Sequence, residues 1–238
     1  MHVDILAIGA HPDDVELSCA GTLLKHAAQG YSFGLLDLTR GELGTRGSAE
    51  LRDREAAESA RRMGASFRQN VDLGDGRFTN SQDEQLAIIR VVRYCKPKLV
   101  LANALNDRHP DHGRAAKLIA DACFFSGLRK IETEYEGEAQ TAHRPANLLH
   151  YIQDYYQAAD LVVDISDYLE QKLECIKAFG SQFHDPDSKE PETPLTGEEF
   201  FPFLTARARE MGRPAGYTFG EGFQRSRLFG VRDLLHLD

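Results

Sequence analysis

The chain has no tryptophan, three methionines, four cysteines, and no apolar run long enough for a transmembrane helix, which needs roughly 20 residues. The opening stretch MHVDILAIGAHPDD carries no basic n-region and reaches charged residues after a short apolar run, so neither a signal peptide nor a membrane span is expected there. Cys19, Cys95, Cys123 and Cys175 are scattered, form no C-x-x-C pair and fall in helix-like stretches. That usage excludes a disulfide scaffold and suits a reducing cytoplasm. Basic residues are also in the minority, 28 against 37 acidic, giving a net charge of −9. A general nucleic-acid binder, which must neutralise phosphates, is thereby disfavoured. The 238 residues are 42% hydrophobic and 27% charged, the composition of a globular protein with a sizeable core. One domain is expected, with a core over residues 1–130 and an elaboration over residues 131–238.

Apolar runs and helical periodicities alternate along the first half. Val3–Ile8, Phe33–Leu38, Phe67–Leu73 and Leu99–Ala102 read as strands. Val15–Gln29, Ala49–Met63, Asp83–Lys96 and Gly113–Ser126 read as helices, punctuated by Gly30, Gly64 and Pro97. This alternation predicts a Rossmann-like α/β fold, a mostly parallel sheet with helices on both faces and ligands at the strands' carboxyl ends. Beyond residue 130 come a polar stretch Glu132–Arg144, strands at Leu148–Tyr155 and Leu161–Asp164, and helices at Ser166–Phe179 and Glu198–Met211. A long loop, Ser181–Gly197, separates the two helices, and a short returning strand is expected in the final stretch.

Two motifs carry chemistry. The first strand ends in His11-Pro12-Asp13-Asp14 and the fourth in Asp107-Arg108-His109-Pro110-Asp111-His112. A catalytic zinc site takes three nitrogen and oxygen ligands and leaves a position for water. His11, Asp14 and His112 supply such a set, because a proline turn lets side chains three positions apart converge. Asp13 is then placed to act as general base, and His109 to stabilise an oxyanion and protonate a leaving amine, with Asp111 fixing its tautomer. A bland reading makes each His-Pro-Asp a turn whose aspartate caps the next helix. Its occurrence twice, at two strand ends, favours the metal site. His184-Asp185-Pro186-Asp187 in the long loop follows no strand and is a weaker rival, while His2, His26, His143, His150 and His236 have no partner pattern. Gly74-Asp75-Gly76-Arg77 reads as a plain turn without chemistry.

A-H-P-D-D near the start with H-P-D-H about a hundred residues later resembles the LmbE-like (PIG-L) zinc-dependent N-deacetylases, which act on N-acetylglucosamine conjugates. Thr39-Arg40-Gly41-Glu42-Leu43-Gly44-Thr45-Arg46-Gly47-Ser48, Arg52 with Glu55-Ala56, and Gly220-Glu221-Gly222-Phe223 look like the branch that deacetylates N-acetylglucosaminyl malate in bacillithiol biosynthesis. The resemblance implies the same zinc ligands, base and acid as above, a small-molecule glycoside substrate, and a homo-oligomer. It also implies an arginine near the substrate at Arg52, and a tyrosine from the C-terminal region, where Glu199-Phe200-Phe201-Pro202 has none. An acidic aglycone gives Arg40, Arg46 and Arg52 a purpose as carboxylate-binding forks. Against this stand an amidase of other sugar or thiol conjugates, and a sugar-binding module, which needs no base. A dinucleotide site is set aside, since Gly9-Ala10-His11-Pro12-Asp13-Asp14 lacks the required glycines and repels a pyrophosphate.

Overall fold

The computed structural model describes residues 1–183, 189–231, 233 and 235. Chain order is β1 (Ile5–Gly9), α1 (Asp14–Ala28), β2 (Phe33–Asp37), α2 (Ala49–Met63), β3 (Arg68–Asn70), α3 (Gln82–Cys95), β4 (Leu99–Ala102) and α4 (Pro110–Phe125). There follow β5 (Glu134–Tyr135), β6 (Glu138–Ala139), β7 (Asn147–Tyr151), β8 (Leu161–Asp164), α5 (Leu169–Ile176), α6 (Phe200–Gly212), a 3-10 turn at Arg213–Ala215, and β9 (Gly220–Arg225). Seven strands form one sheet in the order β3-β2-β1-β4-β7-β9-β8. The first five run parallel, while β9 is antiparallel to both β7 and β8. The expected α/β fold with a mostly parallel sheet is what forms.

Side chains alternate across the sheet, so neighbours in β1 serve opposite faces. Leu6 and Ile8 join Leu36, Val100 and the inner faces of α3 and α4, including Ile88, Val92, Leu118 and Ile119. Ile5 and Ala7 join Leu35, Leu101 and Tyr151 under α1, with Leu23 and Cys175. Both layers are apolar, which accounts for strands that are continuous apolar runs. The chain turns one way from β1 to β2 and the other way to β4. That reversal opens a crevice at the carboxyl ends of β1 and β4, from which both His-Pro-Asp motifs emerge.

Helix α1 is broken at Cys19, whose φ of −143° and ψ of 17° leave helical space. The amides just beyond the break, Gly21 N and Thr22 N, donate to the two carboxylate oxygens of Glu221 at 3.0 and 2.7 Å. Lys172 Nζ donates to the same carboxylate at 2.7 Å. Glu221 is thus the cap of an internal helix start, delivered by β9 from the far end of the chain. The glycine after it lets β9 lie close to α6, since a Cβ on Gly222 would stand 2.9 Å from Met211 Sδ.

The polar stretch Glu132–Arg144 holds a small hairpin, β5 to β6, whose turn residues Glu136 and Gly137 both have positive φ. Tyr135 in it stacks on Tyr94 at 4.2 Å between ring centres, which fixes two strands too short to show a period. The strand expected over Leu148–Tyr155 stops at Tyr151, because the next residues turn into the crevice to serve the site. The four cysteines are buried and unbonded. No described helix is long and apolar enough to cross a membrane.

Candidate active site

The crevice holds a cavity of about 260 Å³ lined by His11, Asp13, Asp14, His109 and His112, with Arg52, Asp75, Asp107 and Gln153. Asp13 occupies the N-cap position of α1, yet its side chain makes no cap bond. It receives Arg52 Nη2 on Oδ2 at 3.1 Å instead. The capping reading of this aspartate therefore fails at the side chain, which is kept for the cavity. Arg52 reaches it across Gly41, where φ is 65° and a Cβ would lie 1.9 Å from the guanidinium, and donates Nη1 to the Gly41 carbonyl at 3.0 Å.

His112 and His11 are each backed by acids. His112 Nδ1 donates to Asp107 Oδ2 at 2.5 Å, leaving Nε2 3.0 Å from Asp14 Oδ1. Burial pulls its pKa down, but Asp14 and Asp107 outweigh that and hold it up at about 9. His11 Nε2 meets Asp75 Oδ1 at 3.1 Å and Asp111 Oδ2 at 3.5 Å, while Nδ1 lies 3.6 Å from Asp14 Oδ2. Its pKa is likewise raised well above the usual value, burial being overcome by Asp111, Asp14 and Asp75. Asp14 is steadied by Asn103 Nδ2 at 2.9 Å and by Gln153 Nε2 at 3.0 Å. Neither Asn103 nor Gln153 belongs to either motif; they sit just past β4 and β7, and the sequence signal for them was only their position after a parallel strand.

Four carboxylates surround the two histidines and favour positive charge between them. Such a donor set fits a divalent ion. Among the described residues, two clusters have donor atoms within 4.8 Å of one another, His11 with His109 and His112, and His11 with Asp75 and Asp111. Asp75 comes from the turn read as chemically silent, and that reading is corrected. Its carboxylate is spent on His11 and on Leu43 N at 3.0 Å, and it is held down to about 2, burial being outweighed by His11.

His109 caps α4 and accepts the Asp111 backbone N–H on Nδ1 at 3.2 Å, so a neutral ring carries its proton on Nε2. Burial and the neighbouring His11 and His112 lower its pKa. The expected role of the Asp111 carboxylate is revised: it makes no bond to His109, and binds Gly76 N at 2.8 Å and Arg114 at 2.5 Å. Arg40 and Arg46 are not brought to the cavity either. Arg40 pairs with Asp53 at 2.6 Å on the outer side of α2, and buried Arg46 donates to the Phe183 carbonyl and to Glu190. The arginines that do line the cavity are Arg52, Arg108 and Arg207. Among the lining residues of the C-terminal part are Phe200 and Phe203, and no tyrosine. The His184-Asp185-Pro186-Asp187 rival lies outside the described residues, as does His236. His26, His143 and His150 bond backbone carbonyls at Thr22, Pro97 and Asn103.

Beneath the first motif, Arg68 donates Nη2 to the Pro12 carbonyl at 2.5 Å and pairs with Glu16 at 2.6 Å and Asp37 at 2.7 Å. It thereby holds the turn from which His11, Asp13 and Asp14 project.

The family model of GlcNAc-PI de-N-acetylases (PIG-L) matches residues 6–123, which contain both motifs. A diacetylchitobiose deacetylase of Thermococcus kodakarensis is 28% identical, over 92% of this chain and 82% of its own. A 4-oxalmesaconate hydratase of Pseudomonas putida is 27% identical over 75% and 74%, and a probable N-acetyl-α-D-glucosaminyl L-malate deacetylase of Bacillus anthracis is 24% identical over 75% and 81%. Among solved structures, a conserved protein of Thermus thermophilus superposes with a TM-score of 0.84 at 33% identity, over 97% of this chain and 98% of its own. With both motifs inside the matched residues and a fold shared with these relatives, the chain belongs to the PIG-L family and is a metal-dependent N-deacetylase.

Proposed function

We propose that the enzyme releases acetate from N-acetylglucosaminyl L-malate, a step of bacillithiol biosynthesis, using zinc held by His11, Asp14 and His112. One observation carries the catalytic half of this reading: Asp13 stands at a helix N-cap without capping, turned into a cavity it shares with His109 and with His11, Asp14 and His112. A bound divalent ion supplies carbonyl polarisation and brings the pKa of water to about 7 in the case of zinc. Asp13 accepts the proton of the attacking water. Arg52 keeps that carboxylate oriented beforehand. His109, with its proton on Nε2, donates a hydrogen bond to the oxygen as charge builds there, and the proton accepted by Asp13 passes to the departing sugar amine. Asp107 and Asp75 fix the ring orientations of His112 and His11.

The malate aglycone is supported by the resemblance of residues 39–48 and 220–223 and by the Bacillus anthracis relative. Diacetylchitobiose is the second reading, favoured by the more similar Thermococcus enzyme. The chain acts as one unit in this reading, since Gln153, Phe200 and Arg207 complete a cavity begun by the N-terminal half. Its four buried thiols support a cytoplasmic setting, and a homo-oligomer follows from the resemblance. Acetate release from the malate conjugate and from diacetylchitobiose, measured side by side with metal content, is the test. Faster turnover of the disaccharide overturns the malate assignment. Undiminished metal in His112→Ala removes that residue from the ligand set.

A further inference from the structure

The cavity wall built by α6 repeats at helical spacing: Phe200, Phe203, Leu204 and Arg207 lie at i, i+3, i+4 and i+7 and all face the cavity. Three are apolar and the fourth is a guanidinium. Its situation differs from that of the other two arginines there. Arg52 is paired with Asp13 at 3.1 Å and Arg108 with Asp154 at 2.7 Å. Arg207 donates only to main-chain carbonyls, Nη1 to Asp154 at 2.6 Å and Nη2 to Tyr155 at 3.3 Å, and has no ion pair among the described residues. Its guanidinium carbon sits 6.0 Å from the Phe203 ring centre. Burial presses against the charged form, the dominant influence on this group.

A half-buried cation without a counter-ion is costly unless a ligand offsets it. The two carbonyls hold the fork in place and leave three of its five N–H donors uncommitted. They also set its position: residues 154 and 155 directly follow Gln153, whose amide bonds Asp14 at the reacting end. We propose that Arg207 is the specificity-determining residue of this enzyme, its free N–H groups receiving a carboxylate of the aglycone while the sugar lies toward Asp13. This rests on the N-acetylglucosaminide deacetylase reading above, and it moves the aglycone contact from the arginines of residues 40 and 46 to helix α6.

The experiment uses metal-loaded full-length enzyme and the variants Arg207→Gln and Arg207→Lys, with N-acetylglucosaminyl malate and methyl N-acetylglucosaminide as charged and neutral substrates. One charge-assisted bond corresponds to about tenfold or more. Arg207→Gln is expected to raise KM for the malate conjugate by about that factor, leaving kcat and the neutral substrate within about twofold, and Arg207→Lys to recover part of the loss. Inhibition of neutral-substrate turnover by free L-malate should weaken in parallel in Arg207→Gln. Equal losses on both substrates, or none on either, overturn the assignment of Arg207. Wild-type enzyme that makes no distinction between the two substrates overturns it as well, while leaving the deacetylase reading intact. No acetate from either substrate overturns the N-acetylglucosaminyl malate reading on which the assignment rests. Metal content and melting temperature, read on every variant, separate these outcomes from misfolding.

Discussion

Replacing Arg68 with methionine tests the foundation of the site. The arginine is almost wholly buried, with a side chain 8% exposed, and it neutralises Glu16 and Asp37, at 0% and 3%. Burial already pushes both carboxyls above their usual range, with Arg68 opposing the shift. Removing one partner of a buried pair costs about 3 to 5 kcal/mol. Here two acids lose one partner, so the upper part of that range is expected, a large share of the roughly 5 to 15 kcal/mol that holds a domain together. The pH dependence has a definite sign. A carboxyl whose folded pKa lies above its unfolded value contributes fully below the unfolded pKa and loses that contribution as pH rises toward the folded one. The deficit of Arg68→Met is therefore largest near pH 7 and shrinks as pH falls toward about 4. Urea unfolding of metal-free protein at several pH values measures it. Adding Glu16→Gln and Asp37→Asn should restore most of the stability, because no uncompensated charge remains. Metal affinity should stay low in that triple variant, because the Pro12 carbonyl has still lost its anchor. A loss below about 1 kcal/mol at pH 7, or one that grows with acidity, would refute the reasoning.

Asp13→Asn should keep its metal and fold and lose roughly a hundredfold or more in kcat, since the amide accepts no proton; single-turnover acetate release decides. Asp107→Asn and Asp75→Asn should each weaken metal binding about ten- to a hundredfold in a chelator competition, with the His112→Ala defect as the upper bound. Asp4, held down to about 2 chiefly by Lys98, contributes stability above its unfolded pKa near 3.8 and loses it as pH falls toward 2. Asp4→Asn should thus be less stable than wild type by about 1 kcal/mol at pH 6, with the gap closing on acidification in thermal melts.

Strand and helix alternation was legible over the first half because each buried strand is an apolar run bounded by glycine or proline, and Leu99–Ala102 and Ala49–Met63 form over the residues expected. Elements fixed by tertiary contact were not legible, such as the hairpin at Glu134–Ala139, whose two-residue strands depend on stacking against Tyr94. At the site, residues inside the two His-Pro-Asp motifs could be found from spacing. Asp75, Asn103 and Gln153 could not, since each stands alone in sequence and meets the others only through the sheet order. The arginine-rich loop misled for a related reason. Charge in a sequence does not disclose its partner, and Asp53 and Glu190 had already claimed Arg40 and Arg46.

The broken helix α1 has a consequence for how the molecule is made. Every group expected to hold or serve the metal from the two motifs lies at or before residue 112, yet the carboxylate that completes α1 arrives at residue 221, across 200 and 199 positions of chain. Leaving Gly21 and Thr22 without that acceptor costs about 1 to 3 kcal/mol for each buried amide. Contacts of such separation close late in folding, because the intervening loop entropy must first be overcome. On the ribosome the emerging chain therefore carries the candidate ligands of both motifs well before the carboxylate that completes α1 has been made.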